Sequence, residues 1–401
     1  MSNRISTMGF QLDASSQIMS LESATAKTQQ QLSTGLRLQT ASDDPAAASQ
    51  VNVLNAQHSA SEQYVTNQSA ATSNLNLETT ALTTTTSVLD NVKELSIEAN
   101  NAAVSDADKS DIVSQLQQLL QQLVSLGNSS DTAGNYLFAG TASITKPFSL
   151  SGTTVTYNGS TQVNQIQISS NQSIRAGDSG AAVFMSQSSG NGTFTTAAGA
   201  ANTGTGWIDP GTVTDAATWA ANAGTYTITF TDASDYEVTD SGGNVVSNGT
   251  YTAPGPGTIS FDGIQTTVTG APVAGDTYTI APSTTTSVFD TVANLIATLS
   301  STTLTSAQVT TALGQAQTEL DNAMTSLNNV QANVGARINA ITTAGSDATS
   351  QQTSLATRIS DLSGVDYAAA TTQLSTEELA LQAAEQSYAS IQQLSLFKYL
   401  S

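Results

Sequence analysis

Along the last quarter of the chain an apolar residue recurs every seven positions: Leu313, Leu320, Leu327, Val334, Ile341, Ala348, Leu355 and Leu362. A second row, Val309, Ala316, Ala323 and Val330, runs four positions behind the first. Alternating three- and four-residue steps place both rows on one narrow helical seam, of the kind that packs against another helix. Unbroken, residues 309–362 predict a rod ~80 Å long at a rise of about 1.5 Å per residue. Arg337, Gln351 and Arg358 weaken the stripe and Gly345 lies inside it, so the pattern predicts a bend or a short break there.

The same period appears, more faintly, elsewhere. In residues 1–33 Ile5, Met8, Leu12 and Met19 hold the phase, while Ser15, Glu22 and Ala26 interrupt it. Such a thin stripe does not hold a helix alone in water; the segment is expected to fray or to fold only within a complex. Gly35 ends it. In the turn TASDDPA (residues 40–46), Asp44 suits an N-cap and Pro45 the first helical position. A second long helix is predicted from about Ala46 to Asn101 on Val51, Leu54, Val65, Leu75, Leu82, Leu89 and Val92, although its Thr-rich steps lower helix propensity. Ser105 and Asp108 have capping-box spacing before a third helix with the face Ile112, Leu116, Leu119, Leu123 and Leu126, stopped at Gly127-Asn128.

From Gly134 the period changes to two. GNYLFAGT, SLSGTTVTYNG and NQIQISSNQSIRAG predict hairpins, and residues 186–285, dense in Gly, Thr and turn signals, predict a small all-β domain. Helix returns near Thr286 with Val288, Val292, Leu295 and Leu299, and Thr305 with Gln308 can cap a restart. After the joint SGVDY a last helix carries Leu374, Leu381, Ala384, Tyr388 and Ile391 on one face and ends in the apolar tip Leu394, Leu396, Phe397, Tyr399, Leu400. The layout is nested. It predicts an elongated α+β fold: a terminal coiled coil from residues 1–42 and 360–401, a helical rod with hairpins from 43–185 and 286–359, and the inserted β-domain at 186–285.

Charge narrows the function. Only 10% of the 401 residues are charged, yet the net charge is −21 because Lys and Arg total ten. Such a surface repels nucleic acid and offers no basic patch. The chain has no Cys, so thiolate and disulfide chemistry are excluded. No run of 18 apolar residues spans a membrane, the apolar C-terminal tip has no flanking cation beyond Lys398, and no cleavable signal is expected. A polar surface of Ser, Thr, Asn and Gln gives helices without ion-pair support, which depend on packing. The composition points to a protein that meets other proteins.

Candidate chemistry is sparse. His58 is the single histidine and lies mid-helix, with no nucleophile-elbow pattern around any Ser, so no enzyme is expected. Asp43 and Asp44 read as turn and cap, since no His or further acid accompanies them. The glycines of GNGT and TGTG lack the Lys and following helix of a phosphate loop. Asp232, Asp235 and Asp240 suit Ca²⁺ by residue type, but the spacing is not an EF-hand and Asp is common in β-turns. No cofactor is implied.

Three stretches resemble a known family. QLSTGLRLQTASDDPAAAS (residues 31–49), with Gly35, Asp43, Asp44 and Pro45, is similar to the N-terminal signature of flagellins and flagellar hook-associated proteins. GNYLFAGT followed by KPF, with Tyr136, Leu137, Phe138, Gly140, Pro147 and Phe148, resembles the hook–filament junction members, the third hook-associated proteins. LQAAEQSYASIQQLSLFKYL (Leu381–Leu400) resembles their C-terminus rather than that of flagellin. Residues 186–285 carry no part of the likeness. The resemblance implies a structural part of the bacterial flagellum: a ring of copies between another hook-associated protein and flagellin, secreted by the flagellar type III apparatus and held beforehand by a cytoplasmic chaperone at the C-terminal region. It implies an assembly interface on Ile5, Met8, Leu12, Met19, Leu374, Leu381, Ala384, Tyr388, Ile391 and Leu394. Flagellin itself, and a coiled-coil adhesin with a β head, are the alternatives.

Overall fold

The long C-terminal seam finds its partner in the N-terminal half. The computed structural model describes residues 7–101 and 104–393. Its first three helices are α1 (Thr7–Thr34), α2 (Pro45–Ala99) and α3 (Asp106–Gly127). Short elements follow, and then α6 (Val288–Ser300), α7 (Ser306–Ser363) and α8 (Tyr367–Gln393). The chain divides into two compact units, residues 1–66 with 344–401 and residues 67–343.

In the second unit α2 and α7 run antiparallel. Lys93 Nζ meets Asp321 Oδ1 at 2.5 Å, and Gln317 Nε2 donates to Ser96 Oγ at 3.2 Å. The seven-residue rows supply the buried faces: Leu75, Leu82 and Leu89 from α2, with Leu313, Leu320, Leu327 and Val334 from α7, are all fully buried. The Thr-rich run of α2 stays helical because its hydroxyls turn inward. Thr79, Thr80, Thr83, Thr84, Thr85 and Thr86 each donate to the carbonyl four residues back, which lets even Thr85 be fully buried. The break expected at Gly345 does not occur; α7 continues to Ser363. One helical glycine costs only about 1 kcal/mol relative to Ala, too little to stop a helix packed along its length.

The α3 stripe is rotated from its predicted position. Ile112, Leu116, Leu120 and Leu123 are buried, whereas Leu119 and Leu126 are half-buried. The capping box forms as read, with Asp108 N–H donating to Ser105 Oγ and Ser105 N–H to Asp108 Oδ2. α3 ends at Gly127 with Asn128 as its C-cap, as the sequence predicts, and close packing adds a second reason for glycine there. A Cβ there would lie 2.7 Å from the Phe148 ring.

Two hairpins follow, β1 (Phe148–Ser151) with β2 (Thr154–Tyr157) and β3 (Gln165–Ser169) with β4 (Gln172–Arg175). The second is tied to α2 by buried Gln68, whose Nε2 donates to Ile168 O at 2.7 Å. GNYLFAGT is not a strand: it is a series of turns with a single bridge, Ser130 to Tyr136. Its Phe138 reaches an aromatic cluster instead, with Phe148, α4 (Gly180–Phe184) and Phe289 of α6, at centroid distances of 5.0–5.6 Å.

The inserted region is all-β apart from α5 (Ala216–Asn222). β5 (Gln187–Ser188) pairs with β15 (Thr285–Thr286) where the chain enters and leaves. One antiparallel sheet has the order β11 (Val245–Thr250), β10 (Asp235–Asp240), β9 (Tyr226–Phe230), β14 (Thr277–Pro282), β6 (Phe194–Ala198). The other is β12 (Gly257–Phe261), β13 (Ile264–Thr269) and β7 (Trp207–Ile208), with β8 (Thr212–Val213) also on β13. Alternate residues of both, such as Tyr226, Ile228 and Phe230 facing Ile264 and Val268, fill one core closed by Trp219.

A polar row on α7 fastens this domain, and it runs beside the apolar seam. Gln308 donates to Gly199 O (2.8 Å), Ile208 N–H donates to Thr311 Oγ1 (3.2 Å), Thr196 N–H to Gln315 Oε1 (3.3 Å), and Gly190 N–H to Glu319 Oε1 (3.1 Å). Asn322 completes it by donating to Gly190 O at 2.8 Å. Glu319→Ala removes acceptors from Gly190 N–H and the Thr291 hydroxyl, at an expected cost of about 1–3 kcal/mol in urea unfolding. Hydrogen exchange at Gly190 should quicken; unchanged exchange there would show that the row does not hold the loop.

Candidate assembly site

The first unit is built around a clasp between the two chain ends. Gly35 closes α1 in the left-handed region (φ 71°), its N–H donating to Gln31 O at 2.9 Å. A Cβ at that position would stand 3.0 Å from Oη of exposed Tyr367, which can give way, so it is the left-handed conformation that requires glycine. Val365 N–H then donates to Gly35 O (3.0 Å), Arg37 N–H to Ser363 O (2.7 Å), and the Arg37 guanidinium to Leu362 O (2.9 Å). Leu36 and Gly364 form the antiparallel bridge between them.

The two aspartates have separate tasks. Asp44 accepts from Ala47 N–H at 3.0 Å, capping α2 as its sequence predicts, and Pro45 is the first helical residue. Asp43 closes the preceding turn by accepting from Gln39 and Thr40 N–H, and Lys27 of α1 reaches it at 2.7 Å. The Lys27 bond, with those backbone donors, holds the Asp43 carboxyl well below the usual carboxylate range. Its place in the turn was read from the sequence, whereas its pairing with Lys27 was not.

α1 packs along α8. On α8 the expected face, Leu374, Leu381, Ala384 and Tyr388, is half-buried. On α1 the buried line is a different one from the predicted stripe: Thr25 and Thr28 are buried and Ile18, Leu21 and Leu32 half-buried. Leu12 and Met19 are 65% and 60% exposed, and Leu379 of α8 is 68% exposed. Of the predicted α1 row, Leu12 and Met19 therefore point away from the helix pair. Ile5 and Leu394, with the side chains of Met8 and Ile391 and the apolar tip, lie outside the described residues.

The second cluster of motif residues is structural. Phe138, Pro147 and Phe148 are buried, and Tyr136 and Leu137 half-buried. Gly140 has φ 63°, and a Cβ there would lie 2.2 Å from Ser160 O. His58 lies on α2 with Nδ1 3.6 Å from Glu62 Oε1. Asp232 and Asp240 accept from backbone N–H groups of their own turns, at Ser234, Asp235, Gly242 and Asn244. No cluster of three His, Cys, Asp or Glu fit to hold a metal occurs among the described residues.

Three family models match the chain: the bacterial flagellin N-terminal helical region at residues 5–143, the bacterial flagellin C-terminal helical region at 317–400, and the D2-like domain of flagellar hook-associated protein 1 at 197–282. Flagellar hook-associated protein 3 of Salmonella typhimurium is 33% identical over 183 residues, 46% of this chain and 57% of that protein. Its Escherichia coli counterpart is 38% identical over 120 residues, 30% and 38% of the two chains. The chain thus spans little more than half the length of these relatives at most. The crystal structure of FlgL from Xanthomonas campestris is 32% identical with a TM-score of 0.71, covering 77% of this chain and 99% of that one. The chain belongs to the FlgL family, that of flagellar hook-associated protein 3.

The N-terminal flagellin region takes in the Gly35 side of the clasp and the turns around Tyr136, and the C-terminal one takes in residues 362–365 of the clasp and α8. The third family model changes one expectation: the β-domain, which carries no part of the resemblance read from the sequence, is similar over residues 197–282 to the D2-like domain of flagellar hook-associated protein 1. Gly35→Ala should cost about 1–2 kcal/mol through the left-handed backbone and quicken hydrogen exchange at Arg37 and Val365. Equal exchange rates in both proteins would contradict the clasp's dependence on glycine.

Proposed function

We propose that this protein forms the junction layer between the hook and the filament of a bacterial flagellum, as a structural part with no catalytic role. The observation that carries the reading is the paired terminal helices, which leave Leu12, Met19 and Leu379 exposed as a discontinuous apolar surface. Single exposed apolar residues are ordinary on a monomer, but a row at helical spacing is what a neighbouring helix covers. The partners proposed are further copies of the chain, a hook-associated protein on one side, flagellin on the other, and before secretion a chaperone at the C-terminal region. The terminal pair (residues 1–42 and 360–401) would be the inner part of the layer, the rod (43–185 and 286–359) its body, and the β-domain (186–285) its outer face. Each fully covered Leu or Met side chain contributes roughly 1.5–3 kcal/mol, so weak contacts repeated around a ring give a firm joint.

An antibody against residues 186–285 is expected to give one band at the hook boundary of intact flagella. Label along the filament would make the chain a flagellin, and absence from flagella would favour a surface adhesin. Leu12→Asp and Met19→Asp should leave the soluble chain's stability within about 0.5 kcal/mol of the parent while abolishing its incorporation. Normal incorporation of both variants would overturn the proposed interface.

A further inference from the structure

One side chain in the second unit breaks the rule that buried charge is paired. Glu78 of α2 is 1% exposed, and beyond an approach by the Asp178 backbone N–H, which falls short of hydrogen-bond geometry, neither carboxyl oxygen has a donor. Leaving an ionised carboxylate buried without donors is expensive, and the usual escape is to hold the proton. The surroundings offer that proton an acceptor. Asp178, in the loop between β4 and α4, lies beside Glu78. It is ion-paired with Arg337 of α7 and faces Arg175 of β4 at 3.7 Å. The same Arg337 donates to Gly177 O at 3.4 Å. Both arginines are thus committed to Asp178 and its loop. An open cavity of about 310 Å³ adjoins the group, lined also by Asp131, Tyr136 and the amides of Asn74, Asn135 and Asn164.

We propose that Glu78 is a neutral carboxylic acid donating its hydrogen to the Asp178 carboxylate, which makes the junction of α2, the β4–α4 loop and α7 a latch that weakens as pH rises. Burial and then the Asp178 charge push the Glu78 carboxyl up to about 8, against the opposing Arg337 charge. The direction follows from proton uptake. Between the ordinary carboxyl value near 4.5 and about 8 the folded chain holds a proton that the unfolded chain has lost. The latch is therefore complete below that window, is lost across it, and contributes nothing further to the pH dependence above about 8. The other charged groups facing the site do not reproduce this. Asp131 is held below the usual range by Asn135 and by backbone donors, so it is already ionised throughout, and the two arginines are engaged with Asp178.

The test is urea unfolding of the full chain and of Glu78→Gln from pH 5.5 to 9.5, with the ratio of their folding constants followed. The ratio of parent to variant should fall about tenfold per pH unit up to about pH 8 and then level off. A ratio flat from pH 5.5 to 8 would overturn the proposal. Carbon-13 NMR of the carboxyl groups in the parent protein gives a second measurement that does not depend on the variant folding. One glutamate should titrate near pH 8, and that resonance should be the one missing from a Glu78-substituted sample. Titration of every carboxyl below pH 6 would equally overturn it.

Discussion

The backbone clasp joining residues 35–38 to 362–365 is the interaction on which the terminal unit depends. It needs Gly35 in a conformation that other residues adopt only at a cost, a Gly364 partner, and an Arg37 that spends its backbone and side chain on the opposite strand. Once formed, it starts α1 and α8 from a common point, and they lie side by side. Neither helix has a stripe strong enough to fold unaided. Holding their ends together lowers the entropy that pairing must overcome, and the buried line that results is made largely of small and hydroxyl residues. The larger apolar residues are left over, and in the proposed function they are what an assembly uses.

The second unit meets the same shortage of charge in another way. With few Lys and Arg available, α2 and α7 rely on a long apolar seam, on Thr hydroxyls that satisfy themselves against their own helix, and on Gln and Asn side chains that reach neighbouring backbone. Neutral hydrogen bonds of this type are each worth about 1 kcal/mol net, and they are insensitive to salt and to most of the pH range. Glu78, Asp178 and Arg337 differ from the Lys93–Asp321 pair and from Glu319 in being an ionisable group buried within that unit.

Much of this was legible in the sequence, for identifiable reasons. Long seven-residue periods placed α2 and α7, and local capping chemistry placed Asp44, Ser105 and Thr305 with Gln308 correctly. Periodicity failed where the burial was asymmetric: Leu119 and Leu126 fitted the α3 phase as well as Leu120 did, and α3 packs mainly against α6, a segment remote in sequence. GNYLFAGT alternated like a strand, yet Phe138 is drawn into an aromatic cluster with Phe148, Phe184 and Phe289, the last two remote in sequence, which no local pattern encodes. The polar row Gln308, Thr311, Gln315, Glu319, Asn322 had helical spacing in plain view, but polar periodicity marks a solvent face far more often than a docking face. On α1, Leu12 and Met19 were chosen as a seam by hydrophobicity, whereas the helix pair buries Thr25 and Thr28; the two readings part because a stripe can belong to a neighbouring molecule.

Because the chain contains no Cys, a single introduced thiol reports on one position without ambiguity. Met19→Cys in a strain carrying no other copy of the gene, reacted with a maleimide, is the most direct test of the central claim that this row is covered by assembly. Rapid labelling of the soluble chain and strong protection in intact flagella are the predicted results. Equal labelling in both would mean that the exposed row of α1 is not an interface, and that the terminal helices act in the flagellum through some other face.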